Sequence, residues 1–230
     1  MTTPSTLPHA TVSTAALREG AAAAFAHGGR IADLRGDALG HGVVETARIV
    51  TQVGVPAVLV DDDLVAEALR REGVNALTRG DADVDSALLY GLPGAGTRPA
   101  LRLAGQVLST KPLRAGEAVS YGYLHRAAQD TTVALVTGGY AQGIPRALGS
   151  TASVEIDGRM HPIVGRVAMD VCVVDLQAAD AGVPDGAEAV YFGGDGPARD
   201  GLAVWSEVTG LRLDELIAVA GSKAVRTWTN

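Results

Sequence analysis

Hydrophobic spacing divides the chain into two regimes. Up to about Leu92, short apolar runs alternate with stretches of helical period. "RIADLRG" (30–36) reads as a strand. "GVVETARIVTQVG" (42–54) then places Val43, Ala47 and Val50 on one helical face. "AVLV" (57–60) has the length of a short buried strand. "DDDLVAEALRREG" (61–73) predicts a helix, with aspartates at its start and Gly73 at its end. Strand, helix, strand, helix is the order of a parallel βα sheet. "GLPGAGTRP" (91–99) is dense in Gly and Pro and reads as a linker. Beyond it the period becomes two. Leu101, Leu103 and Val107 alternate in "LRLAGQVLST", and Val133 and Leu135 in "TTVALVTGGY". "SVEIDGRMHPIVGRVAMDVCVVDL" (153–176) predicts two strands about Asp157-Gly158, a type I′ hairpin signal. Residues 100 to about 205 therefore read as mostly antiparallel β. A closing helix is predicted over "LRLDELIAVAG" (211–221), with Leu213, Leu216, Ile217 and Ala220 on one face. The expected class is α+β.

Composition narrows the function classes. The 230 residues are 47% hydrophobic and 20% charged, a globular balance. A formal net charge of -7 argues against nucleic acid, whose phosphates need a basic surface. The single cysteine, Cys172, cannot form an internal disulfide and suits a cytoplasmic location. "AAAAFA" (21–26) is too short for an export signal or a membrane span, so no membrane partner is expected. Residues 1–9, rich in Thr, Ser and Pro, read as a flexible leader. His41, His125 and His161 lack metal-ligand spacing and read as structural. "GGDG" (193–196) allows an anion-binding nest or a plain turn.

Three segments then recur in order: "PLRAGEAVSYG" (112–122), "GGYAQGIPRALGS" (138–150) and "IVGRVAMDVCVVDL" (163–176). Together they resemble the C-terminal domain of the alanine racemases. "LRGDALGHG" (34–42) resembles the family's cofactor strand, and "SALLYGLPGAGTRP" (86–99) its last barrel strand and LYG turn. "SKAVRTW" (222–228) fits the closing segment more loosely. The resemblance implies a mainly antiparallel β domain over 100–230. Before it come a linker at 93–99 and a truncated βα remnant of a TIM barrel over 10–92, since complete barrels take about 250 residues. Such a remnant is expected to leave apolar helix faces and a sheet edge uncovered.

The same resemblance bears on chemistry. Family members use pyridoxal phosphate, bound to the lysine of this strand, to interconvert L- and D-alanine for cell-wall precursors. Arg35 stands at that lysine position, and a guanidinium does not condense with an aldehyde. The two lysines, Lys111 and Lys223, align with no such position. Leu39, Val84 and Asp214 stand where the family has cofactor-contacting tyrosine, arginine and tyrosine. Tyr121 matches the family's proton-transferring tyrosine, and reads on its own as a hydrogen-bonded turn residue. Tyr140 and Met169 match substrate-side residues, while Gln142 and Ala168 replace the family's aspartate and cysteine. A Met in an alternating strand is otherwise a core residue. The expectation is a degenerate paralogue, without covalently bound pyridoxal phosphate, whose β domain docks on or regulates a partner. The alternative is an isomerase completed by a partner subunit through Tyr121. Family dimerisation implies a homo-oligomer, or association with a full-length racemase.

Overall fold

A computed structural model of the chain describes residues 7–120 and 122–230. Its first elements are β1 (His9–Ser13), α1 (Thr14–Ala26), β2 (Ile31–Asp33), α2 (Arg35–Leu39), α3 (Val43–Val53), β3 (Ala57–Leu59), α4 (Asp63–Arg71), β4 (Ala76–Leu77) and α5 (Ser86–Tyr90). There follow β5 (Leu101–Leu113), β6 (Ala118–Val119), β7 (His125–Arg126), β8 (Thr131–Thr137), β9 (Ser153–Ile156), β10 (Arg159–Val164), β11 (Val171–Asp175) and β12 (Glu188–Phe192). The chain continues through α6 (Gly201–Thr209), α7 (Leu213–Lys223) and β13 (Val225–Thr229). Contacts gather these into two units. One consists mainly of Arg102–Arg212; the other comprises Thr11–Leu101, Leu213–Ser222 and Arg226–Asn230.

In the first unit, β12, β9, β10, β11, β8 and β5 pair in that order, and β12 pairs again with β5. Six antiparallel strands thus close on themselves and leave no open edge among them. Leu103, Val136, Val154, Val174 and Tyr191 are among its fully buried residues. The β9–β10 hairpin forms as the sequence predicts. Asp157 and Gly158 have φ of 49° and 72°, both left-handed as a type I′ turn requires. The stretch 153–176 holds three strands, however, because a loop over 165–170 separates β10 from β11. Met169 lies in that loop and is 54% exposed, so it is not a core residue of a strand. Trp205 of α6 packs edge-on against Phe192 of β12, with ring centroids 5.1 Å apart.

In the second unit, β2, β3 and β4 form a parallel sheet, with Ile31 opposite Ala57 and Val58 opposite Ala76. Asp62 caps α4 by accepting the Val65 N–H at 2.9 Å. α3 buries Thr46, Ala47, Ile49 and Val50, and Val43 is only half-buried. α7 buries Leu216, Ile217 and Ala220, with Leu213 half-buried. The strand expected over 30–36 stops at Asp33. "SALLY", matched to a family barrel strand, is the helix α5, started by Asp85 accepting the Ala87 and Leu88 N–H groups.

The outer edge of β2 is not left open as the truncation suggested. Asp83 Oδ1 accepts the Arg30 and Ile31 N–H groups at 2.7 and 2.6 Å, while the Asp83 and Val84 N–H groups donate to the Ile31 carbonyl. The returning segment after β4 therefore hems the outer edge of β2. α1 also packs on α5 at very close range. A side-chain carbon on Gly20 would stand 2.3 Å from the Leu89 carbonyl oxygen.

Candidate active-site remnants

The segment after β2 takes an unusual backbone path. Gly36, Asp37 and Ala38 have φ/ψ near 63/40, 55/45 and 55/51, and Leu39 has φ 50°. This is a turn of left-handed helix made largely of non-glycine residues, each costing about 1–2 kcal/mol. Several groups hold it. Asp61 accepts the Gly36 N–H at 2.8 Å, and Asp37 accepts the Val43 N–H at 2.8 Å. Arg226 donates to the Asp37 carboxylate at 2.6 Å and to the Gly40 carbonyl at 2.8 Å. Gly40 and Gly221 lie so close that neither has room for a side chain.

This turn sets Arg35 at the carboxyl end of β2. Its Nε donates to Asp33 Oδ1 at 2.9 Å and its Nη2 to Oδ2 at 2.5 Å, a bidentate clamp. Asp33 and Arg35 are two residues apart, so the clamp is local. Hydrogen bonding to Arg35 holds the Asp33 carboxyl below its ordinary range. The same bond raises Arg35, with Asp61 and Asp81 adding to its preference for the charged form. His41 lies fully buried against Tyr90, ring centroids 4.4 Å apart, with Nδ1 2.9 Å from the Ala38 carbonyl. Burial pushes it from 6.5 to about 4, so it is a neutral structural group. Val84 is buried beside Gly29, and Asp214 sits in the first turn of α7, where its carboxylate accepts the Glu215 N–H.

A second cluster lies wholly in the β unit. Tyr140 and Met169 lie together. The Tyr140 N–H donates to the Ala168 carbonyl at 2.9 Å, and the Ala141 N–H to the Met169 carbonyl at 3.0 Å. Gly139 permits this approach, because a side-chain carbon there would stand 2.2 Å from the Met169 oxygen. Gln142 is buried and folds back, its Oε1 accepting the Gly139 N–H at 3.3 Å. The Arg146 guanidinium lies 5.1 Å over the Tyr140 ring. Tyr140, Arg146, Val167, Ala168 and Met169 line a cavity of about 410 Å³. Arg146 was part of the quoted motif but was not singled out; its place six residues after a site tyrosine was the available signal. Tyr121 lies outside the described residues. Among the described residues no group of three or more His, Cys, Asp or Glu side chains could hold a metal ion, and no helix is long and apolar enough to cross a membrane.

A closed six-stranded antiparallel barrel in one chain with a short parallel βα unit defines an α+β architecture. The chain belongs to the alanine racemase family: the family model "Alanine racemase, C-terminal domain" matches residues 100–228. An alanine racemase of Mycolicibacterium vanbaalenii is 41% identical over 136 residues, which cover 58% of this chain and 34% of the relative. The match thus spans about a third of that relative's length. The structure of alanine racemase from Streptomyces lavendulae superposes with a TM-score of 0.82 at 18% identity, covering 99% of this chain and 98% of the other. That from Bartonella henselae, solved with covalently bound pyridoxal phosphate, gives 0.78 at 16% identity, covering 97% and 99%. The two structures share its fold.

Proposed function

We propose that this chain is a degenerate alanine racemase paralogue with no racemase activity of its own, its β barrel serving as a docking or regulatory module for a complete racemase. One observation carries the reading: Arg35 is clamped on Asp33 at the position of the family's cofactor lysine. The residues there do not fit pyridoxal phosphate. The cation at the strand end is a guanidinium already occupied by a carboxylate, with Asp61 and Asp81 adding negative charge around it. Lys111 and Lys223 are both exposed, on β5 and at the end of α7. The β unit, by contrast, keeps a formed cavity with Tyr140, Arg146 and Met169 on its wall. The division at 93–99, with residues 100–230 as the β domain and Tyr121 as a residue offered to a partner, belongs to this proposal. So do a cytoplasmic location and self-association.

The test is direct. The purified chain is incubated with pyridoxal phosphate and L-alanine, and D-alanine is measured. No D-alanine above background, together with recovery of a full-length racemase on the immobilised chain, is the expected result. Turnover by the isolated chain at the rate of a complete racemase would overturn the reading. The retained cavity favours a second reading, an isomerase completed in trans. It requires activity that appears only on mixing with a partner subunit and disappears with Tyr121→Phe.

A further inference from the structure

The second unit carries a cavity of about 430 Å³ between α1, α3 and β13, which no residue of the Arg35 or Tyr140 clusters lines. Arg18, Glu45, Arg48, Ile49, Gln52 and Trp228 line it. Its volume lies within the range of small-molecule sites.

Trp228 is held in place for a wall. Strand alternation puts Arg226 and Trp228 on the same side of β13, where both are half-buried while their neighbours are exposed. Arg226 is fixed by Asp37 and the Gly40 carbonyl. The Trp228 ring rests against Gly42, whose missing side chain would otherwise come within 3.2 Å of Cζ2. Ile49 supplies a buried apolar surface from α3.

The two arginines differ. Arg48 is spent: its Nε and Nη2 donate to Glu72 at 2.7 and 2.9 Å, and its Nη1 to Glu45. Arg18 has no carboxylate partner among the described residues. Its one hydrogen bond is a long contact of 3.3 Å to the neutral Gln52 amide. A guanidinium offers five donors in a fork suited to a carboxylate. The cavity therefore joins a flat aromatic wall, an apolar floor and one uncommitted guanidinium. Glu45 is turned to Arg48, which leaves the Arg18 end as the positive one.

We propose that this cavity is a binding site for a small planar aromatic carboxylate, its ring on Trp228 and Ile49 and its carboxylate on Arg18. The inference does not depend on the function proposed for the barrel or on any cofactor.

Calorimetric titration of the full chain with 2-naphthoate tests it, with the neutral 2-naphthamide as the comparison probe. Saturable binding of the acid is expected, accompanied by a change in Trp228 emission. The amide should bind about tenfold more weakly, the loss of one charge-assisted contact. Arg18→Gln should weaken the acid by the same factor and leave the amide unchanged. Arg18 is exposed, so this variant keeps the fold. Glu45→Gln should tighten the acid. The absence of saturable heat with 2-naphthoate, equal affinity for acid and amide, or wild-type affinity in Arg18→Gln would each overturn the proposal.

Discussion

Restoring a lysine at Arg35 should not restore the family's cofactor. In Arg35→Lys a single ammonium replaces a fork that reaches both Asp33 oxygens, at 2.9 and 2.5 Å. Asp33, Asp61 and Asp81 all favour the cation at this position. An ammonium there stays at or above the ordinary lysine pKa of about 10.4, so at pH 7.5 only about one molecule in a thousand presents a free amine. The other cofactor-contacting positions implied by the family motifs are no better served, with Leu39, Val84 and Asp214 there. The Arg35 and Asp33 side chains are 54% and 29% exposed, so the substitution should cost at most about 1 kcal/mol of stability. The folded variant can therefore be assayed on equal terms with the wild type. Each is mixed with equimolar pyridoxal phosphate, reduced with borohydride and weighed by intact mass spectrometry. Both should carry the same low background of adduct, attributable to the exposed Lys111 and Lys223. Stoichiometric adduct on the introduced lysine alone would refute the argument.

Gly20→Ala should destabilise the second unit by about 1–3 kcal/mol despite the usual gain of about 1 kcal/mol in helix propensity, because the added carbon meets the Leu89 carbonyl at 2.3 Å. A higher urea midpoint than wild type would contradict this. Arg226→Gln should cost about 1–2 kcal/mol and expose residues 36–42 to proteolysis, since it removes the donor that joins Asp37 to Gly40. An unchanged digestion pattern would contradict it. His41, held at about 4 when folded, takes up its proton more readily in the unfolded chain, at about 6.5. Its contribution to stability is therefore complete above pH 6.5 and falls by up to about 3 kcal/mol as the pH drops to 4. Urea midpoints measured across that window should fall less steeply for His41→Asn, and parallel slopes would contradict the assignment.

The β unit was the more legible half. Several of its strands carry an apolar period of two, and Asp157-Gly158 demands the turn it forms. What escaped was the 165–170 loop, because Val164, Val167 and Val171 keep the apolar content of a strand while Gly165 and Met169 leave it. In the other half, Asp62 and Gly73 announced α4 correctly. Nothing local announces a left-handed run through Asp37, Ala38 and Leu39. Its support comes from Asp61 and Arg226, which lie far along the chain. The hem on β2 was hidden for the same reason, since Asp83 caps a strand more than fifty residues earlier. Tyr140 and Met169 were singled out by their motifs, and Arg35 by its departure from one; a single cavity groups the first two, which spacing alone did not predict. The clamp between Arg35 and Asp33 was not readable as a strand pair, because β2 ends at Asp33 and Arg35 opens α2.

The lock on the left-handed turn has a consequence for synthesis. Arg226 follows Asp37 by 189 residues and Gly40 by 186. At about 5–20 residues per second, the turn waits about 10–40 s on the ribosome between its own emergence and the making of its clamp. All the strands of the β barrel are translated in that interval. During it, the residues that pay the left-handed penalty lack their main counterweight, and the segment should sample ordinary right-handed conformations. The second unit is thus bound to finish folding after translation of the barrel sequence, although most of it is made first.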